Sequence, residues 1–210
     1  MRRLLLVRHG ATAATRAAAF PADEPLDARG LVDAASLRGA LPSKFDALSS
    51  PALRCRQTAE AAGVVDPALV DALAACDFGA WAGRTLAALH AKEPDAVGAW
   101  MTDPHACPHG GESLAALVAR VGGWLDDAAA KDGWAVAFTH GEVVKAAVVH
   151  ALGAPPEAFW RIDVAPLAVT ELHAHDGRWT VTRVNHAVAS DGGSSLLGRA
   201  AGALGEAVRA

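Results

Sequence analysis

Four side chains in this sequence have the chemistry to hold and attack an anion. Arg8 and His9 lie in Arg8-His9-Gly10, Arg54 follows the pair Ser49-Ser50, and His140 lies in Thr139-His140-Gly141. A guanidinium is a permanent cation whose planar fork makes two parallel, charge-assisted hydrogen bonds to phosphate. A neutral imidazole offers one nitrogen as a lone pair and the other as a donor. Two fixed cations and two imidazoles are the makings of a phosphate cradle, provided the fold brings them together.

The elements that would do so are legible from the apolar pattern. Leu4-Leu5-Leu6-Val7 is a short all-apolar run, the mark of a strand buried on both faces, and it ends at Arg8-His9. Phe45-Asp46-Ala47-Leu48 predicts a second strand. Ser49-Ser50-Pro51 then predicts a capped helix, with proline in its first turn, that runs to Ala61 and carries Arg54. Residues 134–139 predict a third strand, ending at His140 and followed by a helix over 142–152. Helical spacing recurs at 31–41 and 112–130, and two short helical stretches are interrupted at Pro94 and Pro104. Strands at 167–173 and 179–184 flank an Asp176-Gly177 turn.

Strands alternating with helices predict an α/β three-layer sandwich, a mostly parallel central sheet with helices on both faces. In such sheets ligands bind beyond the carboxyl ends of the strands, where Arg8, His9, Arg54 and His140 would meet. We expect one domain over 1–190, with 74–112 as a capping insertion. Residues 191–210, rich in Gly and Ala, read as a weakly helical or mobile tail.

Composition narrows the function. A chain of 210 residues with 52% hydrophobic and 20% charged residues can bury a sizeable core. Its net charge is −4 with pI near 6.1, and no Lys/Arg cluster offers the concentrated basic face that a nucleic acid needs. No segment approaches the roughly 18 apolar residues that span a bilayer. Three cysteines, Cys55, Cys76 and Cys107, and a short apolar N-terminal run predict a reduced, cytoplasmic protein. The expected partner is a small phosphorylated metabolite, with no nucleic acid and no membrane; pairing with a second copy of the chain stays open.

Four motifs in order carry a resemblance: Arg8-His9-Gly10-Ala11-Thr12, the stretch from Ser49 to Ala59 around Arg54, Gly110-Gly111-Glu112-Ser113, and Thr139-His140-Gly141. Together, over about residues 1 to 186, they resemble the histidine phosphatase superfamily, the phosphoglycerate mutase-like enzymes. Among its members, α-ribazole phosphatases and broad acid phosphatases are nearest in length. The resemblance implies that His9 is a nucleophile carrying a transient phosphohistidine. Arg8, Arg54 and His140 would hold the non-bridging oxygens, Gly10, Thr12 and Gly141 would line the phosphate site, and no cofactor or metal is needed. It makes the chain a phosphomonoesterase. A phosphoglycerate mutase-type phosphotransferase and a non-catalytic phospho-ligand binder remain as alternatives.

The sequence also departs from that family. Ala75 stands where many members have the glutamate that protonates the leaving oxygen, Ala82 stands in the usual Trp-Glu-Gly, and Thr15 stands near a common asparagine. Asp77 is the expected replacement acid, with a turn cap before Gly79 as its other reading and Glu112 or Glu142 next in line. Glu112 and Trp81 are expected near the substrate. Arg56 competes with Arg54, because two positions on a helix put only one side chain into the site. Thr12 either donates to phosphate or caps a turn. His105, Cys107 and His109 alternate like metal ligands but lack a fourth. Cys55 and Cys76 read as small buried hydrophobes. His173 and His175 are expected on the solvent face of a strand.

Overall fold

The computed structural model describes residues 1–187; the tail expected over 191–210 lies outside the described residues. A six-stranded sheet forms the middle layer: β1 (Arg2–Arg8), β2 (Asp46–Ser49), β3 (Ala68–Leu69), β4 (Gly133–Thr139), β5 (Val169–His175) and β6 (Arg178–His186). Their spatial order is β3-β2-β4-β1-β5-β6. The four on the β3 side run parallel, and β5 is antiparallel to both β1 and β6. The mostly parallel α/β sandwich is therefore present, with an antiparallel hairpin completing one edge.

The apolar run of β1 is buried from both sides because side chains alternate across a strand. Leu4 and Leu6 enter a core shared with α6 (Leu114–Ala129) and α7 (Gly141–Ala151). Leu5 and Val7 enter the opposite core, with Cys55 and Ala59 of α3 (Leu53–Ala61) and with Leu37, which follows α2 (Ala28–Ala34). The remaining helices are α1 (Ala13–Arg16), α4 (Leu86–Lys92) and α5 (Pro94–Thr102). Over residues 74–112, α4 and α5 bury Trp81, Leu89 and Val97 with Phe20 in a small core of their own. No helix among the described residues is long and apolar enough to cross a membrane.

Two helix starts differ from the sequence expectation. Asp27, whose Oδ1 accepts the Gly30 N–H at 2.6 Å, begins α2 three residues before Leu31, and the α-helix ends at Ala34. Leu31 and Val32 are exposed, so the apolar spacing there did not mark a buried face. Helix α3 begins at Leu53 with no side-chain cap of its own; Ser49 ends β2, and Ser50 serves another partner described below.

Two loops of the cap meet main chain on main chain, with the Phe78 and Trp81 rings packing on His109 beside the contact. Ala80 N–H donates to the His109 carbonyl at 2.9 Å, and Glu112 N–H donates to the Asp77 carbonyl at 2.7 Å. A Cβ on Gly79, which sits at φ +44°, would lie 2.2 Å from the His109 oxygen, and one on Gly111 would lie 2.0 Å from the Asp77 oxygen. Only glycine permits this approach.

Candidate active site

The parallel ladder sets the site. Arg8 pairs with Thr139 and Ser49 with Phe138, so β1, β2 and β4 end level with one another. The ladder runs one residue further, through His9 N–H to the Thr139 carbonyl at 2.9 Å and Ser50 N–H to the Phe138 carbonyl at 2.8 Å. His9, Ser50 and His140 each stand just beyond a strand end, and Arg54 reaches them from the first turn of α3.

The hydrogen bonds fix both imidazole tautomers. His9 Nδ1 donates to the Gly10 carbonyl at 2.7 Å, which leaves Nε2 as a lone pair, and Arg54 Nε–H donates to that lone pair at 3.3 Å. A second nitrogen of Arg54 donates to His140 Nδ1 at 3.2 Å, so His140 carries its proton on Nε2 and donates to Ser50 Oγ at 2.8 Å. One guanidinium thus spans both rings, whose centroids are 5.2 Å apart. A third bond, from Arg54 to the Ala22 carbonyl at 2.7 Å, fixes the fork. Arg56 is exposed; the buried arginine of α3 is Arg54. Gly10 N–H donates to Thr58 Oγ1, which in turn donates to the Arg54 carbonyl, locking the strand end to the helix.

Arg8 lies across Gly141. A Cβ there would come within 3.1 Å of Arg8 Nε, and the side chain also donates to the Val164 carbonyl. Its Nε is buried with no partner, a donor left for a ligand. Burial lowers Arg8 from its ordinary value, against the opposing pull of Glu142 and Asp163.

Electrostatics keep both histidines neutral. Burial, then Arg54, pulls His9 from 6.5 down to about 3, and burial with Arg54 and His9 holds His140 well below its ordinary value. Neutral imidazole is the nucleophilic form. A stability consequence follows. The unfolded chain binds a proton at His9 near pH 6.5 and the folded chain near pH 3, so this contribution is complete above 6.5 and is lost as pH falls toward 3. Urea midpoints measured across that range should fall with acidification, and His9→Gln should make the fall shallower. An unchanged slope would show that His9 does not carry it.

Other expected residues are placed as follows. Thr12 is fully buried and caps α1: its Oγ1 accepts from Thr15 N–H and donates to Glu24 Oε1 at 3.0 Å. Asp77 is exposed on the wall of a 340 Å³ cavity it shares with Arg54, Asp23 and Ser50, and its Oδ1 accepts the Gly79 N–H at 2.9 Å. Glu112 is held by Arg120 through two bonds of 2.8 and 2.7 Å, and Arg120 also caps the carbonyls of Ala72 and Ala74. Glu112 thus braces the 72–75 loop and does not line the cavities that border Arg8 and Arg54. Trp81 is buried in the cap core and donates to Glu93 Oε2, away from those cavities. Cys55 and Cys76 are buried; Cys55 Sγ sits 3.5 Å from His140 Nε2, and burial pushes its thiol up to about 12. Cys107 Sγ meets His109 Nδ1 at 3.8 Å, and among the described residues no group of three His, Cys, Asp or Glu side chains is placed to hold a metal ion. His173 is half-buried against Glu171 and Trp134, and His175 is exposed.

Sequence reasoning missed a second cavity, of 200 Å³, on the Arg8 side. Its walls are Phe78, Trp100, Phe159, Trp160, Glu142 and Lys145. Trp100 and Trp160 meet edge to face at 4.7 Å, although they are distant in sequence. Phe78 borders both cavities and divides them.

An α/β sheet whose strand ends bring together a lone-pair imidazole, a second imidazole, a buried guanidinium and a half-buried one has the chemistry to receive an anion. The family model of the histidine phosphatase superfamily (branch 1) matches residues 4–187, and the chain belongs to that superfamily. A bifunctional protein of Mycobacterium tuberculosis is 29% identical over 195 residues, 87% of this chain and 53% of that protein. The chain spans about half the length of the curated relatives it matches. Among solved structures, a putative alpha-ribazole-5'-P phosphatase of Escherichia coli is 27% identical, with TM-score 0.80 over 90% of this chain and 97% of that one. A mycobacterial glucosyl-3-phosphoglycerate phosphatase is 26% identical, with TM-score 0.78 over 89% of this chain and 100% of that one.

Proposed function

We propose that the protein is a phosphomonoesterase that hydrolyses small phosphorylated metabolites through a phosphohistidine on His9 Nε2. One observation carries this reading: the Gly10 carbonyl fixes the proton on Nδ1, so the lone pair of Nε2 points at the Arg54 fork. An incoming phosphate replaces that contact, takes the fork on its non-bridging oxygens, and meets the lone pair. Arg8, with its unpartnered Nε, and His140 complete the cradle. Guanidiniums in a dry site can supply the charge that phosphoryl transfer demands, so no metal enters the reading. Brief reaction with a ³²P-labelled monoester, quenched in base, tests it. The label is expected to be acid-labile, base-stable, indifferent to chelators, and located on His9; labelling elsewhere or activity lost to chelator overturns it. A bisphosphoglycerate-dependent mutase assay separates hydrolysis from transfer.

The leaving group is read from this chain's own walls, because the similar structures act on leaving groups as unlike as a glucosylglycerate and α-ribazole. Flat aromatic walls and Lys145 beside Arg8 suit a leaving group with an apolar face and a polar edge. Trp100→Ala should raise KM for such an ester about 10-fold, as loss of a packed ring does, while kcat for a small ester stays within about 2-fold. Equal kinetics on both esters would place the leaving group elsewhere.

A further inference from the structure

We infer that Glu142, on the first turn of α7 directly after the His140-Gly141 pair, is the proton donor to the leaving oxygen. The inference rests on the phosphatase reading above and adds the group that completes it. An alkoxide leaves poorly at neutral pH, so an alkyl monoester needs a positioned acid, which is typically worth about 10²–10⁴-fold. Four carboxyl groups line the two cavities that flank the phosphate cradle, and two of them are already engaged by main chain: Asp23 Oδ1 accepts the Leu53 N–H at 3.0 Å and Asp163 Oδ1 accepts the Val164 N–H at 2.9 Å. Asp77 is exposed and its Oδ1 already accepts the Gly79 N–H. Glu142 differs on both counts: its Oε1 is buried and has no hydrogen-bond partner. A buried polar atom without a partner is costly unless something brings one. A protonated carboxyl is a donor, and the ester oxygen of a bound substrate is the acceptor such a site lacks.

Position supports the same assignment. Glu142 lines the 200 Å³ cavity together with Arg8, and also the narrow gap it shares with Cys76, Phe78 and Trp100. It therefore stands between one guanidinium of the cradle and the aromatic walls, where the bond to the leaving group must lie. The charged and titratable groups around it come from several elements: Arg8 of β1, Lys145 one turn along α7, Asp163 of the following loop, Cys76 of the cap and Arg120 of α6. Its carboxyl lies within electrostatic reach of Arg8, Lys145, Arg120, Cys55 and Cys76.

The step balances without a co-reactant beyond water. The Nε2 lone pair of His9 forms the N–P bond as the P–O bond breaks. That electron pair goes to the leaving oxygen, which takes the Glu142 proton and departs as an alcohol. Water then enters the vacated place, gives a proton to the Glu142 carboxylate, and bonds to phosphorus as the N–P pair returns to His9.

The test is the dependence of kcat/KM on leaving-group acidity, in wild type, Glu142→Gln and Asp77→Asn, over alkyl to nitrophenyl phosphates. Glu142→Gln should lose about 10²–10⁴-fold on alkyl esters and less than about 5-fold on p-nitrophenyl phosphate, whose phenolate leaves unaided. The leaving-group slope steepens accordingly, a change that a merely structural role would not produce. Retained binding of inorganic phosphate by the variant reports an intact site. Equal losses on all esters, no loss on alkyl esters, or the steeper slope appearing in Asp77→Asn overturns the assignment. Absence of His9 labelling in the wild type would instead overturn the phosphatase reading, and the proton donor with it.

Discussion

His9→Ala should reduce turnover of any monophosphate by roughly 10⁴-fold or more, as deletion of the nucleophile from a cooperating set does. It should also abolish the phosphoenzyme. The expectation is severe because nothing stands behind His9. His140 Nδ1 is occupied by Arg54 and its Nε2 carries the proton that goes to Ser50, so the second imidazole has no free lone pair to offer. The cradle itself survives the change, since Arg8, Arg54 and His140 are held by the Val164 carbonyl, the Ala22 carbonyl and Ser50. Binding of inorganic phosphate, followed by calorimetry, should therefore persist in His9→Ala while single-turnover labelling disappears. Turnover surviving in the variant would remove His9 from the mechanism. A wild type that binds phosphate and never labels would make the chain a binder of phosphorylated ligands.

Arg54→Ala is expected to lower kcat by about 10³–10⁵, the range seen when an arginine that stabilises a transferring phosphoryl group is removed. The side chain has two duties that separate experimentally. Its charge attracts the dianion, while its fork bridges His9 Nε2 and His140 Nδ1, two atoms that a single ammonium cannot reach together. Arg54→Lys should accordingly recover much of the KM and little of the kcat. Steady-state kinetics on p-nitrophenyl phosphate would read both parameters. A lysine variant with near-normal kcat would mean that the charge alone suffices. Arg54→Ala also removes the cation that, after burial, helps depress His9, so the acid limb of its rate profile should move upward in pH, whereas Arg54→Lys, which keeps the charge, should leave that limb nearer its wild-type place.

The candidate site was legible because its residues are local to strand ends. Arg8-His9 and Thr139-His140 each terminate an apolar run, and a parallel ladder leaves little freedom in how those ends align. Arg54 was legible through helical geometry, which allows only one of Arg54 and Arg56 to face inward. The misreadings share a physical origin as well. Ser50 next to a proline looks like a helix cap, but its hydroxyl oxygen accepts the hydrogen bond from His140 Nε2–H, a contact made across 90 positions of sequence. Thr12 has the right chemistry for phosphate, and its oxygen is taken by Thr15 and Glu24. Trp81 follows the loop expected at the site but turns into the cap core, whereas Trp100 and Trp160 reach the cavity from separate elements. Local propensity says where a residue sits along its element and little about which distant partner claims its side chain.

The Gly79–Gly111 contact fixes what this architecture can change cheaply. Because the two loops close main chain on main chain at this point, the contact is made largely by atoms that every amino acid shares, and it is Gly79 and Gly111 that must stay without a side chain there. The surrounding walls can be exchanged without disturbing the anchor, Trp100 on its own helix among them. Substitutions in α5 and the Phe159–Trp160 turn can then reshape the cavity wall, while the histidines and arginines beneath stay in register. Inheritance in such a scaffold is divided: the cradle descends with the strand ends, and the shape of the walls above it varies with the cap.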